Sequence, residues 1–402
     1  MSKIITDEKI IDAFLDRGII KTILPTKEEF KGLLMSGKKI RIYIGFDATA
    51  NTLHLSHAKN IMLLEEFRKL GHEVVLLFGD FTARIGDPSD QHGTRKTFTE
   101  KEVLKNIKDW KEQIKNLMNF KDKKNPPKIL FNSKWLAKMN MEKVLDLASN
   151  VTVQQMIERD MFQKRMKEGK HIFLHEFLYP LMQGYDSVAM EVDVELCGTD
   201  QIFNALMGRT LLRKLKNKDK FVVAVNLMEN PKTGELMSKS RGTGVFLNTT
   251  PSEMYGGIMA QPDEMTKVFL VNCTQISILE IENILSKNDP MTAKKITAKE
   301  VVAVVHGEKK AIEARESWEK TFSKKEIPTE IESILATRDL QLVEVLLSNK
   351  IIESKSEFRR LVESGAITNM DLNKKVLTIN ELAKNGVYKI GKKRFCKLVI
   401  NG

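Results

Sequence analysis

Five short apolar runs, RIYIGF (41–46), VVLLF (74–78), KILF (128–131), VDVEL (192–196) and FVVAV (221–225), alternate with amphipathic segments of helical length. A strand that is apolar at nearly every position has both faces covered, and parallel strands need long crossovers to connect them. The pattern predicts an α/β fold with a parallel sheet between layers of helix. In the first crossover Ala58, Ile61, Leu64, Phe67 and Leu70 share one helical stripe, and Gly71 is placed to end the helix. Beyond about residue 245 the strand runs stop. SILEIENILSKN and EKKAIEARESWEKTF read as helices, and SKKEIPTEIES (323–333) reads as a linker. LQLVEVLLSNKIIESKSEFRRLVESGAI reads as two short helices ending at Gly365, followed by the strand-like VYKIGKKRFCKLVI. No internal repeat is visible.

With 402 residues, 42% of them hydrophobic, the chain can bury more than one core. No apolar run approaches the ~20 residues that span a bilayer, and the opening MSKIITDEKI lacks the apolar centre of a signal peptide. A cytoplasmic protein without membrane contact is the expectation. Cys197, Cys273 and Cys396 are far apart, with neither zinc spacing nor an even count, and read as reduced thiols. The formal charge of +12 points to an anionic partner, and residues 341–402 carry twelve Lys/Arg against six Asp/Glu. Half the net positive charge thus sits in the last sixth of the chain.

Ligands of an open parallel sheet collect at the carboxyl ends of its strands, where the next helix presents free N–H groups. His54 and His57, in GFDATANTLHLSHAKN, fall at such a place. From spacing alone they suit phosphate contact, metal ligation or no function, although no nearby Cys or His completes a four-ligand zinc site. TGELMSKSRGTG (233–244) follows the FVVAV strand and offers Ser238, Lys239 and Arg241 between glycines. Such a loop can close over polyphosphate, or simply be a solvated basic loop. Tyr179, Gln183 and Asp186 stand at i, i+4 and i+7, so one helical face can present all three to a single small ligand.

HLSH (54–57) and LMSKS (236–240), in that order on an α/β framework, resemble the HIGH and KMSKS signatures of class I aminoacyl-tRNA synthetases. YIGFDATANTLHLSH, IGDPS (85–89), YPLMQGYDS (179–187) and GTDQ (198–201) resemble the bacterial tyrosyl-tRNA synthetase family, and with the basic C-terminal module the likeness covers essentially the whole chain. The resemblance implies a Rossmann-like parallel-sheet catalytic domain (1–244), a helical anticodon-side domain (245–330) and a small α+β, S-four-like RNA-binding domain (338–402). It implies tyrosine activation with ATP and Mg2+, then transfer to tRNA(Tyr), in a homodimer.

By the same resemblance Tyr43 and Asp186 hydrogen-bond the substrate phenol, a pairing that a phenylalanine would leave unsatisfied. Tyr179, Gln183 and Asp87 hold the ammonium, and Gln201 faces the carboxylate. Asp200 takes the ATP ribose, Gly198 permits close approach, and the backbone around Asp47 meets the α-phosphate. Thr49, His54 and Lys239, with Ser238 and Arg95, contact the outgoing phosphates, while His57 packs near the ribose and adenine. Catalysis is then mostly positioning and stabilisation of charge on phosphate, assigned to Thr49, His54, His57 and Lys239. In the C-terminal module Lys355, Arg359 and Arg360 share a helical face, and Lys392, Lys393 and Arg394 occupy a turn, a surface able to track RNA phosphates.

Three departures stand out. Ser56 replaces the signature glycine, Leu236 replaces the first signature lysine, and Asp90 and Gln91 stand where the family often has glycine and lysine. The two charge-related changes weaken attraction to pyrophosphate, so slower activation is expected. Two alternatives remain: a tryptophanyl relative, disfavoured by the Tyr43 and Asp186 pair, and an RNA-binding protein of synthetase descent with impaired activation.

Overall fold

The computed structural model describes residues 3–87, 98–237, 243–323, 331, 333–337, 340–372, 374–391 and 394–401. The chain forms two compact units, residues 1–311 and 312–402.

The first unit is built on a six-stranded sheet of β1 (Ile20–Leu24), β2 (Arg41–Phe46), β3 (Glu73–Phe78), β4 (Lys128–Phe131), β5 (Val194–Gly198) and β6 (Phe221–Val225). Their order is β1-β6-β5-β2-β3-β4, with all neighbours parallel except β1, which runs antiparallel to β6. The chain leaves β2 first toward β3 and β4, then returns to its other side for β5 and β6. The sheet therefore switches direction between β2 and β5, and their carboxyl ends open a crevice where ligands of such sheets bind.

The α/β architecture expected from the apolar runs is present, and four of the five runs coincide closely with strands. The fifth is displaced: β5 is Val194–Gly198, because Val192 is buried in the C-terminal cap of the preceding helix, Leu174–Met190. There Glu191 adopts left-handed backbone and the Val192 amide donates to the Ser187 carbonyl. The helix Leu55–Lys69 buries the predicted stripe of Ala58, Ile61, Leu64 and Phe67, and Leu70 caps it ahead of Gly71, whose φ is +100°. Helices Pro251–Met259, Met265–Cys273, Ile278–Lys287 and Pro290–His306 follow the sheet.

The second unit contains a five-stranded sheet in the order β7-β11-β10-β8-β9, from β7 (Ser333–Thr337), β8 (Ile367–Asn369), β9 (Lys374–Lys375), β10 (Gly386–Ile390) and β11 (Arg394–Asn401). Helices Leu342–Ser348 and Lys355–Glu363 bury Leu342, Leu346, Phe358 and Val362 in a core with Ile367, Ile390 and Leu398. β7 was not expected: it falls at the end of the stretch read as a linker, and pairs in parallel with β11.

Candidate active site

The crevice at the switch point is lined from β2, the loop after it, and the helix Leu174–Met190. Tyr43 on β2 is buried, with its hydroxyl 3.0 Å from Ser187 Oγ. Burial first, then the Glu195 and Asp186 carboxylates, push its phenol well above the usual range.

Tyr179, Gln183 and Asp186 lie along one face of the helix, as their spacing predicts. Tyr179 donates to Asp47 Oδ2 at 2.9 Å, and Asp47 Oδ1 accepts from Thr82 Oγ1 at 2.7 Å. Asp186 is buried and accepts from Trp135 Nε1 at 2.7 Å and Asn132 Nδ2 at 3.3 Å. Burial raises its carboxyl well above the normal carboxylate range, and these two donors oppose the shift. Gln183 accepts from Asn204 Nδ2 at 2.9 Å, and Asn204 also donates to Gln201 Oε1 at 2.8 Å. Gln201 donates in turn to Asp87 Oδ2 at 2.8 Å. Gln183, Gln201 and Asp87 are thus joined by hydrogen bonds, through an asparagine that no motif singled out.

Asn132, Trp135 and Asn204 carry no sequence signal of their own. Their roles depend on contacts across the fold, 54 and 51 residues from Asp186 for the first two. Arg159 was also missed. It is buried over the Phe162 and Phe203 rings, with one terminal nitrogen lacking a partner, and burial lowers its pKa against the opposing charge of Asp87.

Across the crevice, the loop after β2 is fastened by the helix Glu100–Ile114. Asn106 Nδ2 donates to the Ala48 carbonyl at 2.8 Å and Trp110 Nε1 to the Ala50 carbonyl at 2.7 Å. Gln113 receives the Leu53 amide at 2.8 Å and donates to the Asn51 carbonyl at 3.0 Å. The exposed Thr49 sits within this clamped loop, its amide donating to the Asp47 carbonyl at 2.8 Å. His54 caps the helix Leu55–Lys69, and its backbone amide donates to His57 Nδ1 at 3.3 Å. The two rings lie 4.1 Å apart between centroids, and His57 also faces Phe46 and Trp110. Burial lowers His54 to about 4 and His57 well below its ordinary value, so both are neutral near pH 7. His54 Nδ1 is buried without a hydrogen-bond partner.

The first signature segment is joined to the stretch that follows the second. The Leu55 amide donates to the Val245 carbonyl at 3.0 Å, and the Leu247 amide to the Leu53 carbonyl at 2.8 Å. Leu236 bridges to Glu229 in a short hairpin and is exposed, consistent with a position that a lysine could occupy. Ser238, Lys239 and Arg95, together with Asp90 and Gln91, lie outside the described residues. No group of three or more His, Cys, Asp or Glu among the described residues could hold a metal ion.

Two glycines complete the crevice. A Cβ on Gly79, just past β3, would collide with the Asp47 carboxylate and Thr82 Oγ1. One on Gly198, at the end of β5, would collide with the Asp200 carboxylate. The space beside Gly198 is occupied, within the chain itself, by the Asp200 carboxylate.

In the second unit Lys355, Arg359 and Arg360 are exposed on the helix Lys355–Glu363. Arg394 begins β11 rather than sitting in the expected turn. It donates to the Ile351 carbonyl at 2.6 Å and to Glu357 Oε1 at 2.7 Å, bonds that lock the strand to the helix. Lys392 and Lys393 lie outside the described residues.

Residues 35–323 match the family model of class I tRNA synthetases (W and Y). The chain is 38% identical to a tyrosine–tRNA ligase of Carboxydothermus hydrogenoformans, covering 96% of both chains. It is 40% identical to that of Thermotoga maritima over 88% of each. Its fold resembles a C-terminally truncated mitochondrial tyrosyl-tRNA synthetase of Aspergillus nidulans, with a TM-score of 0.66 at 23% identity, covering 78% of this chain and 94% of that one. A sequence likeness running through both units, on a sheet whose switch point gathers Tyr43, Asp47, Tyr179, Gln183 and Asp186, places this chain in the tyrosyl-tRNA synthetase family of class I tRNA synthetases.

Proposed function

We propose that the chain activates L-tyrosine with ATP, as its magnesium complex, and transfers the tyrosyl group to tRNA(Tyr). The observation that carries this reading is the shared face of Tyr179, Gln183 and Asp186 at the switch point, set against Tyr43 and Asp87. Tyr43 and Asp186 receive the phenol, Tyr179, Gln183 and Asp87 the ammonium, and Gln201 the carboxylate. ATP lies across the carboxyl edge of the sheet, with its ribose at Asp200 and Gly198 and its α-phosphate by the backbone of Asp47. A carboxylate oxygen of tyrosine attacks the α-phosphorus while the bond to pyrophosphate breaks. A ribose hydroxyl of the tRNA then attacks the tyrosyl carbonyl and AMP leaves.

No protein nucleophile is required. Thr49 and His54, on a loop held by Asn106, Trp110 and Gln113, meet the departing phosphates with Lys239, Ser238 and Arg95, while His57 supports the ribose and adenine. Because burial keeps His54 neutral, it acts as a neutral N–H donor. Exchange of ATP with pyrophosphate in the presence of tyrosine, tryptophan or phenylalanine tests the reading. Exchange with tyrosine alone supports it; its absence in the folded protein overturns it in favour of an RNA-binding role.

The assignment of residues 1–244 to catalysis, 245–330 to a helical anticodon-side domain and 338–402 to RNA binding follows from the same reading. The exposed Lys355, Arg359 and Arg360 supply phosphate contacts, with Lys392 and Lys393, whereas Arg394 acts mainly by holding its own unit together. Arg359→Glu with Arg360→Glu should raise the KM for tRNA about tenfold or more and leave pyrophosphate exchange intact. Unchanged tRNA kinetics would remove this surface from the model.

A homodimer is part of the proposal, supported by the exposed apolar side chains Met141, Leu145, Val153, Phe173 and Leu174. Sedimentation should give twice the chain mass. A cytoplasmic site of action fits the finding that no helix among the described residues is long and apolar enough to cross a membrane.

A further inference from the structure

Beneath the amino-acid site lies a buried ion pair that none of the assigned roles uses. Lys220, directly before β6, and Glu195, on β5, are each 2% exposed and in contact through Nζ and Oε2. Lys220 also donates to Ser187 Oγ at 2.6 Å, and Ser187 donates to Glu195 Oε2 at 3.2 Å. The opposite carboxylate oxygen, Oε1, accepts from Gln183 Nε2 at 3.4 Å. Gly208 leaves room for this cluster: a Cβ there would lie 2.7 Å from Lys220 Nζ and 2.8 Å from Ser187 Oγ.

A buried ion pair gives little net stability over apolar packing of the same volume, because both ions lose their hydration. What this pair does control is hydrogen-bond direction. An ammonium only donates and a carboxylate only accepts. Between them, the Ser187 hydroxyl gives its proton to Glu195 and one lone pair to Lys220, leaving its other lone pair toward Tyr43. Tyr43 therefore donates to Ser187 and turns its own oxygen lone pairs to the crevice.

We infer that Lys220 and Glu195 are positioning residues which, through Ser187, fix the direction of the Tyr43 hydroxyl proton, so that the pocket selects a substrate ring carrying a hydrogen-bond donor. Glu195 extends the same control to Gln183, accepting a hydrogen bond from its amide N–H and leaving the Gln183 carbonyl for Asn204 and the substrate ammonium. The inference deepens the proposed tyrosine reading and rests on it.

The test is pyrophosphate exchange by the full chain with tyrosine, para-aminophenylalanine, a donor, and para-fluorophenylalanine, which cannot donate from that position. Wild type should prefer the amino over the fluoro substrate. In Ser187→Ala, Tyr43 is free to donate into the crevice, and the amino-to-fluoro ratio of kcat/KM should fall about tenfold while the KM for ATP stays fixed. The paired variant Lys220→Met with Glu195→Gln removes both charges together, avoiding one unpaired buried ion, and should also lower the ratio. A ratio unchanged in both variants, with only a lower Tm, would show that the cluster is structural and overturn the inference. Absence of tyrosine-dependent exchange in wild type would instead overturn the functional reading on which it rests.

Discussion

Two helices flank the crevice with the same spacing of polar residues and put it to opposite use. On Leu174–Met190, Tyr179, Gln183 and Asp186 present side chains to the proposed amino-acid site; on Glu100–Ile114, Asn106, Trp110 and Gln113 grip the backbone of residues 48–53. The first face is the one proposed to meet the substrate, and its groups are oriented by neighbours such as Trp135 and Asn204. The second recognises nothing itself, but holds still the loop that carries Thr49 and leads to His54. An i, i+4, i+7 pattern thus identifies a helical face with a task, without saying whether the task is binding or bracing.

The comparison is broken most severely at the phosphate side. His54→Ala should lower single-turnover adenylate formation about a hundredfold or more with the tyrosine KM unchanged, as expected for a donor that acts on developing charge. A parallel rise in tyrosine KM would mean that the two sides are not separable. Asp186→Ala should do the converse, reducing tyrosine kcat/KM by about a hundredfold while preserving the KM for ATP, since it leaves Trp135 and Asn132 without their acceptor. Loss of ATP affinity in that variant would contradict the division.

Gln113→Ala sharpens the claim for bracing. It frees the Leu53 amide and the Asn51 carbonyl, and should slow activation about tenfold without altering the choice among amino acids. Unaltered activation would make that helix a bystander. Leu236→Lys restores a positive charge at an exposed position and should speed adenylate formation about fivefold; an unchanged or slower rate counts against the departure as a cause of weak activation.

The smallest effect is on stability, and the sides respond to pH with opposite sign. His54 titrates at about 4 in the folded chain and near 6.5 when unfolded, so the stability it contributes is present above the unfolded value and is lost as pH falls from 6.5 toward 4. Asp186 is raised by burial, so its contribution is greatest below its unfolded value of 3.8 and declines as pH rises through the folded one. His54→Gln should flatten the acid limb of a Tm profile and Asp186→Asn the upper limb, each by a few degrees. A profile unchanged by either replacement would contradict these environments.

The parallel sheet was legible because strands buried on both faces leave uninterrupted apolar runs, as in RIYIGF and FVVAV. Four strands among the described residues escaped detection: β8 and β9 are only three and two residues long, and β1 and β7 lie at sheet edges. β1 buries only Ile23, and β7 exposes alternate residues behind a proline and a run of charges. Motifs singled out the helical face of Tyr179, Gln183 and Asp186, whereas Trp135, Asn204, Trp110 and Gln113 went unseen because each acts through a partner distant in sequence. Val192 shows a different limit: a residue of a helix cap is as apolar as the strand it precedes, so β5 could not be placed to the residue.

Gly79 makes a separate point. It binds nothing and has no side chain, yet the Asp47 carboxylate fills the space where a methyl group would stand, and that carboxylate holds Tyr179. Even the smallest replacement at position 79 would displace that carboxylate and, with it, the partner of Tyr179. The glycine there is specified by what its neighbour needs.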